Sequence, residues 1–127
     1  MVKAGPLTVL VVEDSNDTRA LLCRTLSMEG YHVLEAADGR QAVEVARREC
    51  PDLILMDLNM PVMDGLAATE QIRSLREHCG GVPIVAVTAF DTYGMKEAAL
   101  EAGCDAYLLK PLAVDQLKEV IASLLYT

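Results

Sequence analysis

Short apolar runs alternate with longer amphipathic stretches along the chain, and the alternation repeats five times without a low-complexity segment or linker. Short apolar runs bounded by turn residues are typical of buried strands, and amphipathic stretches of ten or more residues are typical of helices. The predicted strands are residues 7–12, 31–35, 53–56, 84–87 and 106–109. This rhythm predicts an α/β fold with one doubly wound parallel sheet that helices cover on both faces.

Five helices are predicted between and after these strands. Asp38 and Asp64 each precede an amphipathic stretch and are suited to cap a helix N-terminus, whereas Gly30 and Gly103 are suited to end one. The helices are predicted over residues 16–29, after residue 38, after residue 64, and over residues 96–102 and 114–124. The fifth is amphipathic, because its apolar residues recur at a helical period.

Length and charge narrow the class of protein. A chain of 127 residues fits one compact domain, so we expect residues 1–127 to form a single domain. The formal charge of −8 at pH 7 would repel nucleic acid and anionic membranes, which leaves proteins and cations as the expected partners. The chain shows neither a signal-like segment nor a long apolar run, and we therefore expect a cytoplasmic location.

The four cysteines and two histidines show no metal or redox pattern. Cys23, Cys50, Cys79 and Cys104 are far apart and form no CxxC pair. We therefore expect buried or half-buried thiols in a reducing compartment rather than disulfides. We expect His32 and His78 to stand alone, because neither has a second ligand at helical or hairpin spacing.

Polar residues follow four of the predicted strands. Glu13 and Asp14 follow the first strand, Asp57 the third, Thr88 the fourth and Lys110 the fifth. Each alone has an ordinary explanation: Asp14 as a helix cap, Thr88 as a loop hydroxyl and Lys110 as an exposed lysine. Together they favour a site, because ligands of open parallel sheets bind at the carboxyl ends of the strands.

Three carboxylates in one place repel one another unless a cation neutralises them, and one lysine cannot balance all three. Oxygen ligands suit a hard cation such as Mg²⁺, which keeps part of its coordination for water and phosphoryl oxygens. The residues therefore predict a site where a phosphoryl group meets a metal ion.

Four segments of the chain resemble motifs of bacterial response-regulator receiver domains, the chemotaxis-regulator-like domains of two-component signalling. They are VVED at residues 11–14, DLNMPVMDG at 57–65, TA at 88–89 and YLLKP at 107–111. All four occur in order, and the resemblance covers essentially the whole chain. It implies the flavodoxin-like (βα)5 receiver fold with strand order 2-1-3-4-5, and a signalling domain rather than an enzyme.

The resemblance also implies roles for the residues of the site. Asp57 would accept a phosphoryl group from a phosphohistidine of a sensor histidine kinase or histidine phosphotransfer protein. Asp14 and Asp57 would ligate Mg²⁺, or Mn²⁺ as an alternative ion, while Glu13 would act through water and Asn59 through its backbone carbonyl. Lys110 would contact a phosphoryl oxygen.

A switch is implied by the same resemblance. The hydroxyl of Thr88 would move toward the phosphoryl group and Tyr107 would move into the vacated space, changing a face built from helix 4, strand 5 and helix 5. A downstream protein target would read that face. Phe90 lies at a position that flanks the path of attacking water in this family, and we hypothesise that its bulky side chain shields the phosphoryl group.

Three residues are expected to shape the backbone near the site. Pro61 and Gly65 would turn the loop after Asp57, and the Lys110–Pro111 bond would be cis. Ala106 and Leu112 differ from the residues that receivers of winged-helix regulators often carry at these places, which favours a stand-alone regulator or a receiver from a hybrid kinase.

Other functions fit the sequence less well. A haloacid-dehalogenase-like phosphatase needs an Asp two residues after its nucleophile, and this chain has Asn59 there. A nucleotide-binding domain is disfavoured because neither GxGxxG nor GxxxxGK[ST] occurs. A receiver-like interaction module without phosphorylation stays as an alternative, although the acidic, Thr and Lys positions are all present.

Overall fold

The computed structural model describes residues 5–60, 63–89 and 92–125. Strands and helices alternate along the whole of this length, as the hydrophobic pattern predicts. The elements are β1 (Thr8–Val12), α1 (Asn16–Met28), β2 (His32–Ala36), α2 (Gly39–Glu49), β3 (Leu53–Asp57), α3 (Gly65–Arg73), β4 (Ile84–Thr88), α4 (Met95–Ala102), β5 (Ala106–Leu109) and α5 (Val114–Leu125).

The strands form one parallel sheet in the order β2-β1-β3-β4-β5, which confirms the predicted fold. Every residue of β3 and β4 is buried, because helices cover both faces of the sheet. The order reverses between β1 and β3, and in sheets of this kind ligands bind in a crevice beyond the carboxyl ends of the strands at such a reversal.

Two apolar layers lie on opposite faces of the sheet, because successive side chains of a strand point to opposite sides. On one face, residues such as Leu10, Ile54 and Ile84 pack with Ala46 and Ile72 of α2 and α3. The opposite face packs against α1 and α5, and its buried residues are Val9, Val11, Leu26, Leu53, Leu55, Val85, Val87, Leu108, Leu117 and Ile121. The two layers fix the strand ends relative to one another.

The helix caps largely follow the prediction. Asp38 and Asp64 cap α2 and α3, each accepting a hydrogen bond of 2.9 Å from the backbone N–H of the third residue of its helix. Gly30 and Gly103 adopt φ values of 95° and 117° just beyond α1 and α4. The cap of α1 is Ser15, whose Oγ accepts from the N–H of Thr18 at 3.3 Å, so Asp14 is not needed as a cap.

Arg73 organises the segment between α3 and β4. Its Nη1 donates to the carbonyls of Gly80 and Val82, both at 2.7 Å, and its Nη2 donates to the carbonyl of Gly103 at 2.7 Å. The apolar residues Leu66, Ile72 and Leu75 recur at a helical period, but α3 ends at Arg73 and Leu75 lies beyond it. β2 begins one residue later than predicted, at His32.

The expectation of four free thiols is wrong for one pair. Cys50 and Cys79 form a disulfide with a Cα–Cα distance of 5.3 Å, and the nearest ligand atoms of these cysteines and His78 all lie within 4.8 Å of one another. His78 therefore does not stand alone. Sequence spacing could not reveal this cluster, because Cys50 lies 29 positions before Cys79 and tertiary packing brings it to Cys79 and the adjacent His78. Cys104 is buried and Cys23 is half-buried, as expected.

Among the described residues, no helix combines the length and the apolar character needed to cross a membrane.

Candidate functional site

The polar residues that follow the strands meet at one edge of the sheet. Glu13 comes directly after β1, Asp57 and Thr88 are the last residues of β3 and β4, and Lys110 comes directly after β5. Parallel pairing places these four positions side by side at the carboxyl ends. The site thus lies beside the crevice where the strand order reverses.

Three carboxylates form the centre of the site. Oxygens of Glu13, Asp14 and Asp57 all lie within 4.8 Å of one another. Glu13 is 2% exposed and Asp57 is 4% exposed, whereas Asp14 is exposed. The cluster is therefore closed below by the sheet and open to solvent on the side of Asp14.

Lys110 joins two of these carboxylates. Its Nζ donates to Glu13 Oε1 at 2.6 Å and to Asp57 Oδ2 at 3.2 Å. Residues 13 and 110 are 97 positions apart, so this contact depends entirely on the sheet. One cation among three acids leaves a net negative charge in a poorly solvated place, which favours an incoming cation.

The surroundings raise the pKa of Asp57 and of Lys110 and lower the pKa of Glu13. Burial raises the pKa of Asp57. A hydrogen bond from the backbone of Asn59 opposes this effect, and the charge of Glu13 adds to it. Burial also acts to raise the pKa of Glu13, but hydrogen bonds from Lys110 and Ser15 and the charge of Lys110 together lower it. Burial acts to lower the pKa of Lys110, yet its contacts with Glu13 and Asp57 raise it. Of the two carboxylates that pair with Lys110, Glu13 is therefore the one whose ionised form is stabilised, and Asp57 is the one whose ionised form is destabilised.

Two residues that the sequence did not single out hold Glu13 in place. The backbone N–H of Ser15 donates to Glu13 Oε2 at 3.0 Å, and Arg19 Nη1 donates to the carbonyl of Glu13 at 2.8 Å. Arg19 also contacts Glu35 of β2 through Nε at 3.1 Å. An arginine on a helix face carries no sequence signal for such a role, so only the packing of α1 against β2 reveals it.

Asn59 links the phosphoacceptor candidate to the switch candidate. Its backbone N–H donates to Asp57 Oδ1 at 3.0 Å, and its side-chain Nδ2 donates to Thr88 Oγ1 at 2.7 Å. Thr88 is wholly buried, whereas Asn59 is exposed. The Asn59 side chain thus lies on the open side of the site and holds the Thr88 hydroxyl.

Gly65 allows α3 to approach Asp57 closely. A Cβ on Gly65 would collide with the carbonyl oxygen of Asp57 and would lie 2.8 Å from the Cα of Leu58. The N–H of Gly65 donates to the carbonyl of Leu58 at 3.2 Å. The residue is needed for this close approach at the start of α3 rather than for a left-handed turn.

The other predicted residues are placed as follows. Tyr107 lies in β5, is half-buried and packs against the layer that contains α2, α3 and α4. The Lys110–Pro111 bond is cis, as the resemblance implied. Pro61 and Phe90 lie outside the described residues.

The carboxylate cluster fits a hard divalent cation. Its members offer only oxygen ligands, two of them buried, and one side stays open for water or an anion. Asn59 adds a backbone carbonyl close by in sequence. Mg²⁺ prefers a few carboxylates together with water and phosphoryl oxygens, which matches this set.

An apolar cavity of about 460 Å³ lies beside the charged cluster. Its walls come from the first half of α1 and from the segment after β5, including Leu21, Leu22, Lys110 and Leu112. Leu21 is 65% exposed although it is apolar. The charged site therefore opens next to an apolar surface.

Comparison with known proteins agrees with this geometry. The family model described as "Response regulator receiver domain" matches residues 9–122. The response regulator MprA of Mycolicibacterium vanbaalenii is 39% identical over 120 residues, which cover 94% of this chain and 51% of that protein. The polar-differentiation response regulator DivK of Brucella anthropi is 35% identical, with coverage of 94% of this chain and 97% of that protein. The chain therefore spans about half the length of MprA and nearly all of DivK.

A solved structure shows the same architecture. The receiver domain of the sensor histidine kinase PA1611 from Pseudomonas aeruginosa superposes with a TM-score of 0.89 at 37% identity. The match covers 97% of this chain and 100% of that one. That structure holds a magnesium ion in its active site cleft.

Proposed function

This chain belongs to the response regulator receiver domain family, and we propose that it is a magnesium-dependent switch of a two-component phosphorelay with Asp57 as its phosphoacceptor. The observation that carries the proposal is the position of Asp57. It is a buried carboxylate, it contacts Lys110, and it lies in a cluster of acids with one open side.

The proposed reaction moves a phosphoryl group from a donor histidine to Asp57. A carboxylate oxygen of Asp57 attacks the phosphorus atom, the P–N bond of the phosphohistidine breaks, and the imidazole leaves with the electron pair of that bond. The product is an aspartyl phosphate, a mixed anhydride. The raised pKa of Asp57 fits a carboxylate that its surroundings hold in a less stable ionised form.

Lys110 supplies positive charge where the transferred group arrives. Its Nζ already contacts Asp57 Oδ2, so a short displacement along this contact brings it to a phosphoryl oxygen. Asp14, Asp57, Glu13 (through water) and the carbonyl of Asn59 would hold Mg²⁺, with Mn²⁺ as an alternative ion. When bound, the ion neutralises the charge that develops on the phosphoryl oxygens.

The response to phosphorylation would begin at Thr88. Its hydroxyl is held by Asn59, and this hydrogen bond must break before the hydroxyl can turn toward a phosphoryl oxygen on Asp57. Tyr107 lies on the neighbouring strand, paired with Ala86 of β4, and would follow into the space that Thr88 leaves. The face formed by α4, β5 and α5 would then change and be read by a downstream protein.

The donor would be a sensor histidine kinase or a histidine phosphotransfer protein. It must present its phosphohistidine from the open side of the site, next to the cavity that Leu21 and Leu112 help to line. The acidic charge of −8 disfavours direct binding to nucleic acid or a membrane. We infer one receiver domain over residues 1–127 and a cytoplasmic location, with the kinase and the target as protein partners.

A phosphatase is the less suitable proposal. Its general acid would have to stand two residues after the nucleophile, where this chain has Asn59 with its side chain bonded to Thr88. An amide has no acidic proton for a leaving alkoxide. We therefore propose a domain that is itself the substrate rather than an enzyme that turns over phosphate esters.

Incubation with acetyl phosphate, with and without Mg²⁺, followed by intact-mass measurement tests the proposal. We expect an adduct of about 80 Da, the mass of one added phosphoryl group. It should require Mg²⁺, be released by hydroxylamine and be absent from Asp57→Asn. Asp14→Asn should lower the rate while Asp115→Asn, an exposed acid of α5, should not. A phosphate adduct that persists in Asp57→Asn, or none in the wild type, would overturn the assignment.

A further inference from the structure

The disulfide cluster lies at the opposite edge of the sheet from the acidic site. Cys50 ends α2 shortly before β3 begins, and Cys79 lies in the segment that leads into β4. Both therefore sit near the amino ends of strands whose carboxyl ends carry Asp57 and Thr88. Whatever chemistry this cluster performs is separate from the proposed phosphoryl transfer.

The backbone at both cysteines is unusual for a residue with a side chain. Cys50 has a φ of 44° and Cys79 a φ of 69°, in the left-handed region where Gly or Asn is the common choice. Cys50 is the C-cap of α2, a position that Gly would fill with less strain. Cysteine at two backbone positions that favour Gly or Asn indicates that the sulfur atoms have a function.

The backbones of the two cysteines are close enough for a disulfide. Their Cα atoms are 5.3 Å apart, inside the range of about 4.4–6.8 Å that disulfides span. His78 supports the meeting, because its Nε2 lies 2.8 Å from the carbonyl oxygen of Arg47 and ties the segment before β4 to the last turn of α2. The pair is thus held together by contacts other than the sulfur atoms.

We propose that Cys50 and Cys79 are a redox-reversible modification site, closed to a disulfide by a peroxide and opened by a dithiol reductant. In the closing reaction, one thiolate attacks a peroxide oxygen and the O–O bond breaks, which gives a sulfenic acid and releases water after proton transfer. The second thiolate attacks the sulfenic sulfur and a second water leaves. Two thiols are oxidised and one peroxide is reduced.

The other two cysteines are unsuited to this chemistry. Cys104 is buried, and its Sγ lies 3.6 Å from Thr69 Oγ1. Cys23 is half-buried, and burial together with the charge of Glu35 raises its pKa to about 11, which leaves little thiolate. Cys50, in contrast, is exposed and Cys79 is half-buried, so small oxidants and reductants can reach the pair.

Closing the disulfide would restrain the pair of helices that flank β3. The crosslink encloses β3, Asp57 and α3 in a loop between residues 29 positions apart. At the other end of the two helices, the N–H of Gly39 donates to the carbonyl of Met63 at 3.1 Å. In the oxidised form the crosslink adds a covalent bond to the contact between His78 and Arg47 at one end, whereas the bond between Gly39 and Met63 joins the other end in both forms.

Thiol counting tests the proposal on the whole chain. The protein is treated with hydrogen peroxide or with dithiothreitol, unfolded, alkylated and weighed. We expect four alkylated cysteines after reduction and two after oxidation, with Cys50 and Cys79 joined in one peptide pair. Reduction of the oxidised sample should restore all four. Cys23→Ser, the matched control, should still form the crosslink, whereas Cys50→Ser should not.

Thermal unfolding gives a second measurement. A loop of this length predicts a Tm roughly 10 °C higher in the oxidised than in the reduced wild type, and no such difference in Cys79→Ser. Four free thiols after oxidation, a crosslink to Cys23, or equal Tm values in the two forms would overturn the proposal. So would a zinc ion retained by Cys50, His78 and Cys79 in the purified protein. Phosphorylation of the Cys79→Ser variant by acetyl phosphate distinguishes failure here from failure of the proposed function.

Discussion

Asn59 holds the hydroxyl of Thr88 across the site, with Nδ2 and Oγ1 2.7 Å apart. The same residue donates its backbone N–H to Asp57 Oδ1, so one residue contacts both the proposed phosphoacceptor and the proposed switch. The side-chain bond opposes displacement of Thr88, while the backbone bond stabilises ionised Asp57. The two contacts can be separated by mutation, because only the first depends on the side chain.

Asn59→Ala should therefore favour the displaced state of Thr88. A neutral hydrogen bond contributes about 0.5–1.5 kcal/mol, which corresponds to a change of roughly 2- to 12-fold in the population of that state. We expect the apparent affinity for beryllofluoride with Mg²⁺, a phosphoryl mimic, to rise by that factor in an NMR titration. Gln71→Ala, at an exposed position of α3, is the control. Equal affinity in wild type and Asn59→Ala would show that this bond does not restrain the switch.

Lys110→Met should impair both reactivity and stability. The variant leaves three clustered carboxylates without their cation, so we expect the phosphorylation rate to fall by about 100-fold or more. Without Mg²⁺ the Tm of Lys110→Met should be lower than that of the wild type. Addition of millimolar Mg²⁺ should raise the Tm of the variant by more than it raises the Tm of the wild type. Lys118→Met removes a more exposed lysine that lies 3.4 Å from Glu29, and should change stability by no more than about 0.5 kcal/mol. Similar losses in both variants would argue against a special role for Lys110.

The stability of the metal-free protein should depend on pH through Asp57. Burial raises the pKa of Asp57 in the folded state. The contribution of Asp57 to the free energy of unfolding is therefore largest below the ordinary aspartate pKa of about 3.9, and it is lost as the pH rises through the pKa of the folded protein. Asp57→Asn should then be more stable than wild type at pH 7, by about 1 kcal/mol. The difference should shrink as pH falls toward 4.5, as measured by urea unfolding in the presence of a chelator.

Glu13 provides a control of opposite sign. The pKa of Glu13 is lowered in the folded protein. Its contribution to the free energy of unfolding is therefore present above the ordinary glutamate pKa, and it is lost as the pH falls through the pKa of the folded protein. Glu13→Gln should therefore destabilise the protein at pH 7. If both variants shifted stability in the same direction at pH 7, our assignment of Glu13 as the partner of Lys110 would be wrong.

Gly65→Ala should disturb the site through the backbone of Asp57. The added Cβ has no room beside the Asp57 carbonyl, and overpacking of this kind costs about 1–3 kcal/mol or more. We expect a lower Tm and slower phosphorylation. Gly81→Ala is the matched control, because a Cβ there meets no atom within 4 Å. Should the two variants unfold at the same temperature, the close approach of α3 to Asp57 would not matter.

The fold was predictable because its signals are local. The consecutive apolar residues of β3 and β4 reflect burial on both faces, and Asp38 and Asp64 cap helices through residues close in sequence. The site was predictable for a second reason, since the carboxyl ends of parallel strands share one edge. Asp57 and Thr88 come together as soon as β3 and β4 pair.

Contacts that depend on side-chain packing were not predictable. Arg19 contacts the carbonyl of Glu13 across the turn between β1 and α1 while its Nε contacts Glu35 of β2, and no motif marks this arginine. The Cys50–Cys79 pair escaped prediction because its spacing matches no local pattern and the two positions meet only when α2 and α3 pack together. The bond from Asn59 to Thr88 likewise joins two residues whose proposed roles had been inferred separately.

The parallel sheet gives the domain two chemically distinct ends. Because all strands run in the same direction, the acids, the lysine and the threonine collect at one end, and the cysteine pair lies at the other. Side chains of β3 and its flanking helices connect the two ends. The proposed phosphoryl site and the proposed thiol site therefore lie at opposite ends of the same strands, so one domain can carry two modifications that do not compete for the same surface.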